Sequence, residues 1–137
     1  MEQPGPDDDA RVSGNGELSS RIEQIEAGYE HLLAYAAQGR LDESGSNVRE
    51  TLSRMHVALD GLAALVTDAV QQRLGPLAGE ARGFVEAVAE DADKTRGALG
   101  LVLGCPTISS LLVDNLNASI HLRALLTDLF LAEEASK

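Results

Sequence analysis

The residues best placed to do chemistry are three polar side chains that share one stripe of an otherwise apolar C-terminal segment. Asp114, Asn117 and His121 are spaced three and four residues apart, so on a helix they lie on the same side. If this stripe faces a pocket, it can bind a small polar ligand, and an Asp–His pair can act as acid and base in proton transfer. The simpler interpretation is a polar strip that faces solvent.

The single cysteine, Cys105, is the other candidate for chemistry. It precedes Pro106 at the predicted start of a helix, where the helix dipole favours the thiolate form. A lone cysteine is more commonly a small buried apolar residue, and the sequence places no histidine beside it. One cysteine also excludes an intramolecular disulfide and fits a reducing compartment, so we expect a cytoplasmic protein.

Motifs of the common enzyme and metal-binding classes are missing. None of the three histidines, His31, His56 and His121, follows a glutamate by three residues, which is the spacing that di-iron bundles use. Neither a phosphate-binding loop ending in Gly-Lys-Ser/Thr nor a Gly-x-Ser-x-Gly turn is present. The sequence therefore predicts no metal, no cofactor and no catalytic centre of a known type.

Composition and charge limit the classes of partner. The 137 residues carry a formal net charge of −11, and only 3% are aromatic, with no tryptophan. An acidic surface repels the phosphates of nucleic acids and anionic membranes, and the stacking side chains of single-strand binders are scarce. The longest uncharged stretch, residues 97–113, contains Gly, Pro, Thr and Ser, unlike a membrane-spanning helix. We therefore expect a soluble protein that binds neither nucleic acid nor membrane.

The apolar pattern predicts one helical domain preceded by a tail. Residues 1–17 are rich in Pro, Gly and Asp and hold almost no large apolar side chains, which predicts a disordered acidic tail. Over residues 18–134 apolar residues recur at spacings of three and four, the period of amphipathic helices. We expect four helices, over about residues 18–38, 47–74, 77–103 and 107–133.

Short polar turns join these predicted helices. Neighbouring helices should therefore run antiparallel, which predicts an all-α fold, an up-down-up-down four-helix bundle that assembles as a dimer. The third helix is the weakest, because Gly97, Gly100 and Gly104 each cost up to about 1 kcal/mol relative to alanine. The sequence leaves open whether residues 97–104 are helical or form a linker.

The C-terminal segment, residues 107–133, is apolar on more than one side. Such a helix either lies at the centre of the bundle or buries its second face against another chain. We favour the second interpretation and predict an interface of five side chains, Leu112, Leu116, Ile120, Phe130 and Leu131.

The leading hypothesis is a non-enzymatic protein–protein interaction module, an adaptor, regulator or chaperone-like protein that binds another protein or a second copy of itself. In size, acidity and amphipathic C-terminal helix, the chain resembles bacterial export chaperones and small adaptor proteins. The alternative is a small-molecule or cofactor binder with a pocket between the third and fourth helices, contacted by Asn117, His121 and Cys105. A small enzyme that uses Asp114 and His121 is the third hypothesis.

Overall fold

The computed structural model describes the backbone of residues 6–137 and the side chains from residue 16 onward. Within this range the chain forms six α-helices and no strand, which confirms the all-α class. The helices are α1 Pro6–Ala36, α2 Val48–Leu59, α3 Leu62–Leu74, α4 Gly79–Leu103, α5 Ser110–Ser119 and α6 Leu122–Ala135. Residues 1–5 lie outside the described residues, and α1 begins at Pro6, ahead of the predicted start at residue 18. The expected disorder of residues 1–17 stays a prediction.

Helix α1 and helix α4 pack against the same four helices. Both contact α2, α3, α5 and α6. The inward face of α1 follows the predicted three-and-four spacing, with buried Leu18, Ile22, Ile25, Leu32 and Tyr35. The core therefore lies between α1 and α4 and is closed on its two sides by the α2–α3 and α5–α6 pairs.

Contacts between α1 and α2 run in opposite chain order. Arg21 reaches the end of α2, whereas the His31 ring nitrogen Nδ1 lies 2.6 Å from the Thr51 hydroxyl near its start. Between these points Gly28 allows a close approach, since a Cβ there would lie 2.4 Å from Cγ and Sδ of Met55. The two helices are therefore antiparallel.

The α5–α6 pair returns along α1 in the same way. The Ser110 backbone N–H, at the start of α5, donates to the carbonyl oxygen of Arg40, just after α1. The Ser19 hydroxyl, in the N-terminal half of α1, donates to the Glu133 carboxylate near the end of α6 at 2.5 Å. The α5–α6 pair is therefore antiparallel to α1. Helix α5 starts beside the loop that follows α1, and α6 ends beside the N-terminal half of α1.

The prediction of one helix over residues 47–74 is wrong, because the chain turns at Asp60 and Gly61. Gly61 has φ +70°, a left-handed conformation that costs other residues about 1–2 kcal/mol. Arg21 of α1 caps the end of α2 by donating to the carbonyl oxygens of Ala58 at 3.2 Å and Asp60 at 2.7 Å. The Asp-Gly pair was a turn signal in the sequence, but the continuous apolar spacing across it favoured a single helix.

The prediction of one helix over residues 107–133 is also wrong, although no glycine or proline stands at the break. Ile120 and His121 leave the helical region, with ψ of 144° and 59°. On a straight helix the apolar residues before and after this point would lie on roughly opposite sides. The break turns both sets into the core, and the residues buried in this way are Val113, Leu116, Ile120, Leu122, Leu125, Leu126 and Leu129.

Helix α4 continues to Leu103, which answers the question that the sequence left open about residues 97–103. Its inward side chains, among them Val88, Ala92 and Leu99, are buried, and this burial offsets the low helix propensity of its glycines. Within residues 6–137, no helix has both the length and the apolar character that crossing a membrane requires.

Candidate functional site

A groove of about 530 Å³ opens where α5 ends and α6 begins. Tyr29 of α1 forms one wall, Asn117 stands in the last turn of α5, and His121 stands at the break itself. The first turns of α6 complete the lining, including Thr127 and Asp128. The structure thus brings Asn117 and His121, two of the three residues predicted for a pocket, into one cavity.

This groove lies between α1 and the α5–α6 pair, not between the predicted third and fourth helices. Cys105 stands at the other end of α5, in the loop after α4, where its thiol lies 3.5 Å from the carbonyl oxygen of Leu101. Asp114 is exposed on α5 and is not among the groove residues. Cys105 and Asp114 therefore lie outside the groove. The predicted acid–base pair of Asp114 and His121 is not brought together there, since only His121 lines it.

Asn117 gives the groove its distinctive chemistry. Its side-chain oxygen Oδ1 is buried and has no hydrogen-bond partner among the described residues, while its Nδ2 lies 3.5 Å from the carbonyl oxygen of Leu32. A buried acceptor without a donor costs about 1–3 kcal/mol. Less than 1 Å² of this oxygen is exposed, so a molecule in the groove can donate to it only when the Asn117 side chain turns toward the groove.

The first turn of α6 also lines the groove, through Leu122, Arg123 and Ala124. The N-cap residue His121 makes no side-chain hydrogen bond to this turn, so among the described residues its backbone N–H groups keep their capacity to donate. Arg123 and Asp128 add one charge of each sign to the walls. The groove therefore suits a small molecule that carries both donors and acceptors.

The other histidines stand in different surroundings. His31 contacts Thr51, and His56 lies near Gly100 of α4. Within the part of the chain that the structure describes, no three His, Cys, Asp or Glu side chains converge closely enough to hold a metal ion.

The predicted interface residues divide into two groups. Leu116 and Ile120 are buried in the chain's own core, so their prediction as partner contacts is wrong for this fold, and Leu112 is half-buried against the core. Phe130 and Leu131 of α6 are 42% and 58% exposed. The cause is the break at residues 120–121, which turns the second apolar side of the segment inward.

A second region, which the sequence did not predict, lies where the loop between α1 and α2 meets the loop between α4 and α5. We call it the loop end, and it comprises residues 37–47 and 104–109 with the last turn of α4 and the first turn of α5. Glu43 accepts from the Ile108 backbone N–H at 2.7 Å and from the Arg49 guanidinium at 2.7 and 3.1 Å. The N–H of Ile108, and after it the guanidinium of Arg49, hold the pKa of Glu43 down at about 2.

A second set of hydrogen bonds ties the loop end to α1. The Tyr35 hydroxyl donates to the carbonyl oxygen of Ile108 at 2.5 Å, and the Ser110 hydroxyl donates to the carbonyl oxygen of Tyr35 at 2.7 Å. Ser110 also accepts from the Arg40 backbone N–H at 2.8 Å. Burial raises the pKa of the Tyr35 phenol, which therefore stays a donor at neutral pH. These bonds fix the two loops against each other.

Three leucines are exposed at the loop end. Leu41, Leu101 and Leu111 are 88%, 75% and 68% exposed, the highest values among the large apolar side chains described. Leu41 and Leu111 each follow a member of the hydrogen-bonded pair Arg40 and Ser110, so they stand at the same junction. No spacing rule links Leu41 to the other two leucines, because it is about 60 to 70 positions away from them in the sequence.

No protein-family model, no curated protein and no solved structure matches this chain. No role is therefore transferred to Asn117, His121 or the loop-end residues from a relative. What they do follows from their chemistry and their placement alone.

Proposed function

We propose that the chain is a non-enzymatic protein–protein interaction module, an adaptor, regulator or chaperone-like protein, in which α6 presents an apolar patch to a protein partner. The observation that carries this proposal is the exposure of Phe130 and Leu131, which are adjacent on a helix whose inward face is already filled. Burial of such side chains against a partner yields about 25 cal/mol per Å² of apolar surface. The patch consists of these two residues and is called the α6 patch below.

The fold in this proposal is an up-down-up-down bundle of four rods, in which α2–α3 and α5–α6 are two rods with a break. The packing of both α1 and α4 against these two pairs supports it. So do the antiparallel contacts along α1. In this arrangement the outer side of α6 faces away from the core and is free to receive a partner.

The charges near the α6 patch favour a partner that is not a second copy. The hydrogen bond from Ser19 to Glu133 places the N-terminal half of α1 beside α6, and exposed Glu23 and Glu26 lie on that stretch of α1. Two copies joined here would bring carboxylates together, which opposes association. We therefore expect a different protein whose apolar contact is edged by Lys or Arg, and the single thiol of Cys105 fits a cytoplasmic setting for both proteins.

Affinity capture with the purified chain as bait tests the proposal. The variant Phe130→Ser with Leu131→Ser should lose a protein that the wild type retains, with the Kd of the purified pair raised about tenfold or more. The matched control changes Val57 and Leu74, which are exposed to a similar degree on α2 and α3, to serine and should retain that protein. Retention of the same proteins by all three baits would contradict the proposal.

The groove at the α5–α6 break supports a second candidate function, the binding of a small polar molecule. The specific observation is the unpaired, buried Oδ1 of Asn117 beside His121 in one cavity. In a thermal-shift screen of small polar metabolites, a ligand should raise the Tm of the wild type and of the α6 patch variant alike. His121→Ala, a change at an exposed position, should abolish the shift. An equal shift in His121→Ala, or no shift with any compound, would count against this function.

A further inference from the structure

The groove at the α5–α6 break is lined by two charged side chains of opposite sign. Arg123 lies in the first turn of α6 and Asp128 in the second. Neither forms an ion pair with another of the described residues. Their positions on α6 differ by about 7.5 Å along the helix axis, at 1.5 Å for each residue. The groove therefore has a positive end and a negative end.

The positive end holds further hydrogen-bond donors. His121, which also lines the groove, stands two residues before Arg123. The backbone N–H groups of the first turn of α6 lie at the same end, and the start of a helix favours a negative charge. A carboxylate group of a ligand matches this end of the groove, because a charged acceptor forms strong hydrogen bonds with a guanidinium.

A second carboxylate, that of Glu26 on α1, lies near the negative end. The hydrogen bond from Ser19 to Glu133 fixes the level of α1 against α6, and the two helices run antiparallel. Seven residues further along α1 is Glu26, which is exposed on the same side of the helix as Ser19. Seven residues back along α6 from Glu133 is Leu126, close to Asp128. An ammonium group of a ligand therefore matches this end.

Apolar surface stands between the two ends. Ala124 lies one helical turn before Asp128, and Tyr29 forms the facing wall from α1. This surface suits a hydrocarbon chain, and the volume of about 530 Å³ is typical of sites for small molecules, which span about 300–1,000 Å³. Glu30 and Asp114 are exposed nearby but do not line the groove, so water screens their charges from its positive end.

We propose that the groove binds a small zwitterion, an ω-amino acid whose carboxylate and ammonium groups are joined by a short chain of methylene groups. The carboxylate pairs with Arg123, the ammonium pairs with Asp128, and the methylene chain lies over Ala124 and Tyr29. This inference rests on the second candidate function, the binding of a small polar molecule, and names the class of ligand. An α-amino acid attaches both charged groups to one carbon atom, so it reaches only one end of the groove.

Isothermal titration calorimetry of the full chain tests the proposal with four named probes. They are δ-aminovalerate, which carries both charges, valerate and pentylamine, which carry one charge each, and glycine, whose two charges are close together. The Kd of δ-aminovalerate should be lower than that of each other probe by about tenfold or more, because each of the others loses one charged hydrogen bond.

Substitutions at the two ends of the groove assign each charge of the ligand. Asp128→Asn should bind δ-aminovalerate no better than valerate, and Arg123→Gln should bind it no better than pentylamine. The matched control is Asp68→Asn with Arg73→Gln, which removes one charge of each sign at exposed positions five residues apart on α3. This control should bind δ-aminovalerate as the wild type does.

Equal Kd values for δ-aminovalerate and a singly charged probe overturn the inference, as does loss of binding in the α3 control. If a neutral polar compound binds the groove and δ-aminovalerate does not, the second candidate function stands and the zwitterion is the wrong ligand class. If neither δ-aminovalerate nor any other small polar compound binds, both are wrong.

Nuclear magnetic resonance supplies a measurement that needs no substitution. Addition of δ-aminovalerate should shift the amide signals of Tyr29 and of residues 120–128, which surround the groove, and leave those of the loop end unchanged. The largest shifts at the loop end, or equal shifts over the whole chain, would refute the assignment even if the groove variants fail to fold.

Discussion

The loop end and the groove stand at opposite ends of α5, and they use polar groups in contrasting ways. At the loop end the Ser110 hydroxyl both donates and accepts, and Glu43 accepts from two partners. At the groove the buried Oδ1 of Asn117 has no partner among the described residues. Polar groups that satisfy each other leave only apolar side chains to offer a partner, whereas unsatisfied polar groups offer hydrogen bonds to a ligand.

The starts of α5 and α6 show the same contrast in their capping. Ser109 caps the start of α5 by accepting from the backbone N–H of Leu112 at 3.0 Å. His121 leads into α6 without a side-chain cap. The loop end is therefore the more firmly fixed of the two regions, and the substitutions that follow separate them.

The largest effect on stability is expected from substitution on the buried face of α5, compared with the same substitution on its exposed face. Leu116→Ala should lower the free energy of unfolding by about 2–5 kcal/mol, because it leaves a cavity in the core. Leu111→Ala, on the exposed face of the same helix, should change it by no more than about 0.5 kcal/mol. Urea unfolding followed by circular dichroism measures both. A large loss in Leu111→Ala would show that this residue packs within its own chain.

The next largest effect is expected at Ser110, whose hydroxyl at the loop end both donates and accepts a hydrogen bond. Ser110→Ala should cost about 1–3 kcal/mol, because the N–H of Arg40 loses its acceptor and the carbonyl oxygen of Tyr35 loses a donor. Ser119→Ala, at an exposed serine at the end of α5, is the control and should be nearly neutral. Equal unfolding free energies for the two variants would mean that the network does not hold the loops.

A smaller, pH-dependent effect is expected at Glu43. Its pKa is lowered from 4.5 to about 2 in the folded protein, so its contribution to stability is present above pH 4.5 and disappears as the pH falls towards 2. Glu43→Gln should therefore have a lower Tm than the wild type at pH 7. The difference between the two Tm values should shrink steadily below pH 4.5. A constant difference across that range would show that the carboxylate charge is not what the loop end uses.

The smallest effect is expected in the groove. Asn117→Leu removes the unpaired Oδ1 and should leave the unfolding free energy unchanged or raise it by up to about 1 kcal/mol, since apolar replacement of an unsatisfied polar group is neutral or stabilising. Differential scanning calorimetry of the variant and the wild type measures the change. A loss comparable to that of Ser110→Ala would show that Asn117 is satisfied, and the contrast between the two regions would disappear.

Much of the secondary structure was predictable from the sequence. The positions of the helix breaks and the contacts between distant loops were less predictable. The inward face of α1 from Leu18 to Leu32 follows from local spacing alone, whereas Tyr35 is buried in place of its predicted neighbour Ala36. Asn117 and His121 do line one cavity, but not through helix periodicity, because α5 ends at Ser119 between them and the cavity borders α1 and not α4. The bonds of Glu43 to Ile108 and Arg49 carried no signal, since they form only after distant loops meet.

By itself, the sequence determined the all-α class, the acidity and the apolar faces of the individual helices, because these depend on composition and on neighbours three or four residues away. Only the tertiary structure decided how residues 107–133 are used. Neither Ile120 nor His121 has a strong tendency to end a helix, and breaking there gives up a few backbone hydrogen bonds worth about 0.5–1.5 kcal/mol each. Turning the leucines of α6 into the core gains about 1.5–3 kcal/mol for each side chain fully buried, so the burial exceeds the loss and the helix breaks.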